Sequence, residues 1–203
     1  MIKSACIIGF GSIGQKHYNI LRELLDIKYI YIFSRRIKNK KNFINSKNKL
    51  KTINPDYFII ANETTLHLNF LKYIDTNFAN KIILCEKPLY YKYFNFKFSN
   101  KNTIYVGYNL RFDKILIDLK KHIHNKKINN VKISCLSYLP NWRKRNYTLT
   151  SSANNKTGGG VLLDLSHEID YSNLLFGPIK LVNYVYDKIS PLKINVKDYF
   201  NGN

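Results

Sequence analysis

Ser4-Ala5-Cys6-Ile7-Ile8-Gly9-Phe10-Gly11-Ser12-Ile13-Gly14 is the stretch that decides the fold. An apolar run long enough for one buried strand stops at G-x-G-x-x-G. Beyond it Ile13, Ile20, Leu21, Leu24 and Leu25 recur at a helical period. In such a strand-turn-helix unit each glycine has a task. Gly9 permits the tight turn, Gly11 lets a pyrophosphate approach bare main chain, and Gly14 lets helix and strand pack closely. The unpaired N–H groups of the first helical turn and the positive end of its dipole would hold the phosphates. Gly9, Phe10, Gly11, Ser12, Ile13 and Gly14 are therefore candidate cofactor-binding residues; the competing explanation is a structural turn that is merely rich in glycine.

Working outward, β-branched runs at 4–8, 29–33, 57–61, 81–85 and 103–106 alternate with helix-like stretches, of which Thr65 to Ile74 is the second clear one. Alternation of this kind predicts an α/β fold whose first 110 residues form a Rossmann-type doubly wound parallel sheet, binding ligands beyond the carboxyl ends of its strands. After Val106 the pattern changes. A helix over 113–124, a strand over 131–139, a Gly-rich lead into a helix over 158–176 and a strand-like run over 179–189 predict an incomplete α+β domain across 111–203. About two strands are in hand there, against five or six in an ordinary sheet.

With 203 residues, 45% of them hydrophobic and 23% charged, the chain is expected to bury a core. The net charge of +20 comes mostly from Lys and accompanies abundant Asn, Ile, Tyr and Phe, which points to an A/T-rich base composition rather than to a nucleic-acid partner. Residues 35–51 are the densest case and read as a solvated loop or ragged helix. The aromatics and lysines of Tyr90 to Phe98 could stack bases, but are read as covering the sheet. No apolar run reaches eighteen residues and the opening one is too short for a secretory signal, so a soluble, cytoplasmic protein with no membrane partner is expected. Cys6, Cys85 and Cys135 are expected to be reduced and buried. His17, His67, His122, His124 and His167 form no ligand set, so no metal site is expected.

An NAD-binding unit would place Asp or Glu at the end of the second strand to hold the ribose hydroxyls. This chain has Ser34-Arg35-Arg36 there. A hydroxyl and guanidinium forks suit a 2′-phosphate, so NADP is the expected cofactor, with NAD possible. Alternatively both arginines belong to the basic loop that follows.

Five stretches in order make the chain resemble the Gfo/Idh/MocA oxidoreductases, named for glucose-fructose oxidoreductase and inositol dehydrogenase. They are the glycine turn, Ala61-Asn62-Glu63-Thr64-Thr65-Leu66-His67, Ile83-Leu84-Cys85-Glu86-Lys87-Pro88-Leu89, Val106-Gly107-Tyr108-Asn109-Leu110-Arg111-Phe112, and Gly158-Gly159-Gly160 through Asp164, Ser166-His167-Glu168 and Asp170. The resemblance implies cofactor contacts from Ala61, Asn62, Thr64, His67, Glu86 and Lys87, and substrate contacts from Lys87, Asn109, Arg111, Trp142, Asp164 and His167. It also implies catalytic roles for Lys87, His167 and Asp164, with Lys87 bonded to the substrate oxygen and Glu86 holding its loop. Members of the family usually continue their substrate domain for a hundred residues or more, so the resemblance implies a C-terminally truncated chain.

Independently, Lys87 follows a buried strand at its carboxyl end, and Pro88 keeps it out of helical geometry. On one continuous helix over 158–176, Asp164, His167, Glu168 and Tyr171 would share an arc, with Leu162, Leu165, Ile169 and Phe176 as the core stripe. Asp170 would orient the His167 ring as a general acid/base. Whether Asp164 or Glu168 approaches the substrate stays open at this stage. The expected activity is NAD(P)-dependent hydride transfer to or from a hydroxyl or keto carbon of a sugar, sugar derivative or cyclitol. The alternatives are a homologue that only binds the dinucleotide and, remotely, a nucleic-acid-binding protein. A small sugar-type substrate, a homo-oligomer or completion by a second polypeptide are the expected partners.

Overall fold

In the computed structural model the described residues are 2–25, 27–34 and 42–203. The chain divides into two compact units, Met1–Gly107 and Tyr108–Asn203. Arg35 and Arg36 lie outside the described residues.

The first unit is built on a six-stranded sheet. Its strands are β1 Ser4–Ile8, β2 Tyr29–Phe33, β3 Phe43–Ile44, β4 Tyr57–Ile60, β5 Ile82–Cys85 and β6 Thr103–Val106. All pair in parallel, in the order β3-β2-β1-β4-β5-β6. This is the doubly wound order, in which the direction of winding reverses between β1 and β4. The helices are α1 Ser12–Leu24, α2 Lys47–Ile53 and α3 His67–Asn77. Strand side chains alternate between faces, and the burial follows. Cys6, Ile8, Phe58 and Ile60 pack with Leu50 of α2 and with Phe70, Leu71 and Ile74 of α3. Ala5, Ile7 and Ile59 pack with Leu21 of α1 on the other face.

Residues 35–51 are a correction within this unit. Phe43–Ile44 forms the edge strand and Lys47 opens α2, and both Ile44 and Leu50 are buried. Two apolar residues in a lysine-rich run are enough here because β2 supplies the ladder for them. The aromatic run after β5 partly covers the sheet: Tyr90 and Phe98 pack against the core, whereas Tyr93 is exposed.

The second unit contains α4 Lys114–Ile123, α5 Val161–Asp164, α6 His167–Phe176 and an antiparallel pair, β7 Tyr184–Asp187 and β8 Tyr199–Gly202. Asp113 caps α4 by accepting the Ile115 N–H at 2.8 Å. Gly177, with φ of 86°, closes α6 by donating its N–H to Asn173 O.

Three expectations fail in this unit. Residues 131–138 form no strand, since β propensity makes a strand only against a partner, and the described strands here pair with one another. The helix expected over 158–176 is two helices, interrupted where Leu165 leaves helical geometry. The apolar stripe assigned to it is not its core: Ile169 and Phe176 are exposed, while Ser166 and Ser172 are buried. Cys6 and Cys85 are buried as expected, but Cys135 is exposed.

Candidate functional site

The glycine turn sits at the carboxyl end of β1, beside the point where the sheet reverses. Gly9 has φ of 92°, and a Cβ on it would lie 2.7 Å from the Asn62 Cα. A Cβ on Gly14 would lie 2.2 Å from the carbonyl oxygen of Gly9. Neither position has room for a side chain. At Gly11 a Cβ would meet nothing within 4 Å. Gly11 is also the N-cap of α1, which has no side-chain cap and no acid in its first turn. The fold therefore accounts for two of the glycines, while the third leaves open space over a helix N-terminus, where an anion is favoured.

Asn62, at the end of β4, borders the same turn. Its Oδ1 is buried without a hydrogen-bond partner, a state native folds seldom leave without a reason. The open space at Gly11 and this orphaned oxygen fit a bound dinucleotide. Ala61 donates its N–H to Ile8 O at 2.8 Å, and Thr64 begins a short 3-10 turn over Thr64–Leu66. Ser12 and Ile13 are exposed in the first turn of α1, and Phe10 sits edge-on between Tyr18 and Phe43. At the end of β2, Ser34 donates its N–H to Ile44 O at 3.1 Å.

His67 lies inside the unit rather than on a surface. Its Nδ1 is 3.0 Å from Pro88 O and its Nε2 is 3.2 Å from Asn62 O, so the ring braces the loops after β4 and β5 against each other. Burial pushes its pKa below the ordinary histidine value, overriding the main-chain contacts that act the other way.

Lys87 follows β5 and precedes Pro88. The residue before it is firmly held. Glu86 donates its N–H to Ile60 O at 2.9 Å, and its Oε1 is 2.6 Å from His17 Nε2 on α1.

In the second unit, Asp164 is tied into its own loop. Its Oδ2 accepts the Gly160 N–H at 3.1 Å and its Oδ1 accepts the Ser152 hydroxyl at 2.9 Å. With the helix broken at Leu165, Asp164 and His167 do not share one helical arc. His167 opens α6, its ring edge-on to Tyr108 at 5.6 Å. Asp170 grips Arg111 through Nε at 2.8 Å and Nη2 at 2.5 Å, instead of orienting His167 as expected. That pairing raises the Arg111 pKa. Asn109 lies in the same short turn as Arg111, and Trp142 donates its indole N–H to Ser137 Oγ in a surface depression lined also by Arg143, Arg145 and Tyr147. Ser166 Oγ and Glu168 Oε2 are buried without a hydrogen-bond partner.

Residues 120–200 match the family model described as the C-terminal alpha/beta domain of the oxidoreductase family, GFO_IDH_MocA_C. The chain belongs to the Gfo/Idh/MocA family. Solved structures agree on the fold. The WlbA dehydrogenase of Bordetella pertussis, in complex with NADH and UDP-GlcNAcA, superposes with TM-score 0.72 at 14% identity, over 98% of this chain and 66% of that one. An oxidoreductase of Thermotoga maritima gives TM-score 0.72 at 18% identity, over 98% and 67%. The Bacillus subtilis protein yvaA gives 0.67 at 20% identity, and this chain spans 60% of its length. No curated protein matches the chain in sequence.

For this family member, sequence reasoning names the glycine turn, Lys87 and His167 but overlooks His17 and Ser152. His17 carries a usable signal, lying three residues past Gly14 and so on the helix face turned toward the strands. Ser152 carries none, because its contact with Asp164 is a tertiary one. Among the described residues no three His, Cys, Asp or Glu side chains gather as metal ligands, and no helix is long and apolar enough to cross a membrane.

Proposed function

We propose that this chain binds a nicotinamide dinucleotide at the Gly9–Gly14 turn and transfers hydride to or from a CH–OH carbon of a sugar-type substrate. The observation that carries the proposal is the open space at Gly11, over the N-terminus of α1, between two glycines that the packing itself requires. Preference for NADP rests on Ser34-Arg35-Arg36, where the acid that would hold ribose hydroxyls is replaced by a hydroxyl and guanidinium groups. A nucleotide-activated sugar acid is the substrate class to test first, by likeness to WlbA.

The bound nicotinamide would supply a two-electron hydride carrier. Lys87 would donate a hydrogen bond to the substrate oxygen, which becomes the ketone oxygen on oxidation. His167 would accept the hydroxyl proton in that direction and return it in reduction. Of the two acids left open by the sequence, Glu168 is better suited to a substrate hydroxyl, because its buried Oε2 has no partner while both oxygens of Asp164 accept bonds from its own loop.

Fluorescence titration with NADPH and NADH, followed by turnover on a panel of nucleotide sugars, sugar acids and cyclitols, tests this directly. Tighter binding of NADPH and oxidation of at least one substrate are expected. Equal or tighter NADH binding would remove the NADP preference. Failure to bind either dinucleotide would overturn the whole proposal, and binding without turnover of any substrate would leave a dinucleotide-binding protein in place of an enzyme.

A further inference from the structure

The Glu86 side chain lies between three pieces of the first unit. It follows β5 immediately and precedes Lys87. Its Oε1 is 2.6 Å from His17 Nε2, with only 17% of the histidine side chain and 21% of the carboxylate side chain exposed. Its other oxygen lies where a Cβ on Gly107, just past β6, would be 3.3 Å away. Gly107 itself donates its N–H to Cys85 O at 2.8 Å. His17 stands on α1, little more than a turn beyond the N-terminus at which Gly11 leaves its open space. A partly buried bond between an imidazole and a carboxylate is stronger and more directional than a surface pair, because both partners have lost most of their water.

We infer that His17 is a positioning residue for Lys87. It ties the helix whose first turn receives the phosphates to the strand end that carries the lysine, so that filling the phosphate turn also orders the lysine loop. The inference rests on the proposed dinucleotide site only for its ligand-driven part. The mechanical tie between α1 and Glu86 is a statement about the ligand-free chain. It also explains why an acid precedes the lysine: the carboxylate is directed at α1, and the ammonium on the next residue is left for chemistry.

Hydrogen exchange on the full chain, with and without saturating NADPH, separates these parts. Without ligand, His17→Leu should speed exchange of the amides over 84–90 and at Gly107 about tenfold, leaving the β1 and β4 amides unchanged. His17→Gln, which keeps an N–H donor, should restore most of the protection. In the parent chain NADPH should slow exchange over both 9–16 and 84–90; in His17→Leu it should slow 9–16 alone. Equal ligand-free exchange over 84–90 in the parent and His17→Leu would overturn the inference, whether or not NADPH binds. So would undiminished transfer of protection to 84–90 in His17→Leu. A uniform rise in exchange across the sheet in both variants would reduce His17 to a general packing residue and also overturn it. Absence of any NADPH effect at 9–16 in the parent would instead count against the dinucleotide site.

Discussion

Alanine at Gly14 and alanine at Gly11 should have opposite consequences, because one glycine is required by packing and the other by a ligand. A Cβ at position 14 would sit 2.2 Å from the Gly9 carbonyl oxygen and 3.1 Å from its carbon. Carbon and oxygen in contact need roughly 3.2 Å, so helix and turn must separate by about 1 Å. Gly9 cannot yield easily: its φ is 92° and the Asn62 backbone closes off its other side. With both partners pinned, Gly14→Ala should cost about 3 kcal/mol, the upper end of overpacking. Gly11, with φ of −77° and ψ of −166°, already has backbone angles that alanine adopts, and nothing lies within 4 Å. Gly11→Ala should therefore be neutral or stabilise the chain by up to about 1 kcal/mol, through the unfolded state. It should weaken NADPH binding at least about tenfold, because the methyl group takes up the space through which a pyrophosphate reaches the main chain. Urea unfolding followed by circular dichroism gives the first quantity and fluorescence titration the second. Unchanged NADPH affinity in Gly11→Ala, or unchanged stability in Gly14→Ala, would refute the reasoning.

Lys87→Met should abolish hydride transfer while leaving the NADPH dissociation constant within about twofold, measured by steady-state turnover beside fluorescence titration; retained turnover would remove the role given to Lys87. Asp164→Asn should lower stability by about 1–2 kcal/mol, since it weakens the bonds from Gly160 and Ser152. Glu168→Gln should leave stability nearly unchanged and lower kcat/KM about a hundredfold; the reverse pattern in urea unfolding and kinetics would return the substrate role to Asp164. The depressed pKa of His67, caused first by burial, predicts that stability declines as the pH falls below about 6.5, because there the unfolded chain takes up a proton that the folded ring resists. His67→Gln should flatten that slope between pH 4 and 6.5, and a parent chain whose urea midpoint is level across this range would contradict it.

The sheet was legible because each of its principal strands is a short β-branched run between helical periods, and because the glycines mark where the first helix begins. The edge strand Phe43–Ile44 was not legible, since two apolar residues among lysines and asparagines carry no period and become a strand only beside β2. The second unit was read less well for the same kind of reason. Residues 131–138 have the composition of a strand but no neighbour to pair with, and the break between α5 and α6 is set where Asp164 turns back to Gly160 and Ser152. Local pattern predicts helix there, and a long-range polar contact decides otherwise. Lys87 was located by its place at a strand end, but the attachment of its neighbour Glu86 to His17 spans 69 positions of sequence and could only be seen in the fold.

Acidic side chains are scarce in this chain, 13 against 33 lysines and arginines, so a carboxylate in a fixed contact is seldom there by accident of composition. Around the candidate residues, Glu86 is directed at His17, Asp164 at Gly160 and Ser152, and Asp170 at Arg111. Each of these three joins two segments that backbone hydrogen bonds leave separate: strand end to helix, loop to helix, and turn to helix. Glu168 differs from them in keeping a buried oxygen without a partner. Native folds tolerate such an atom mainly where something else is meant to meet it. The acids that sequence spacing places beside the histidine are thus separated by what they hold. Three fix the frame, and Glu168 is left for a substrate hydroxyl.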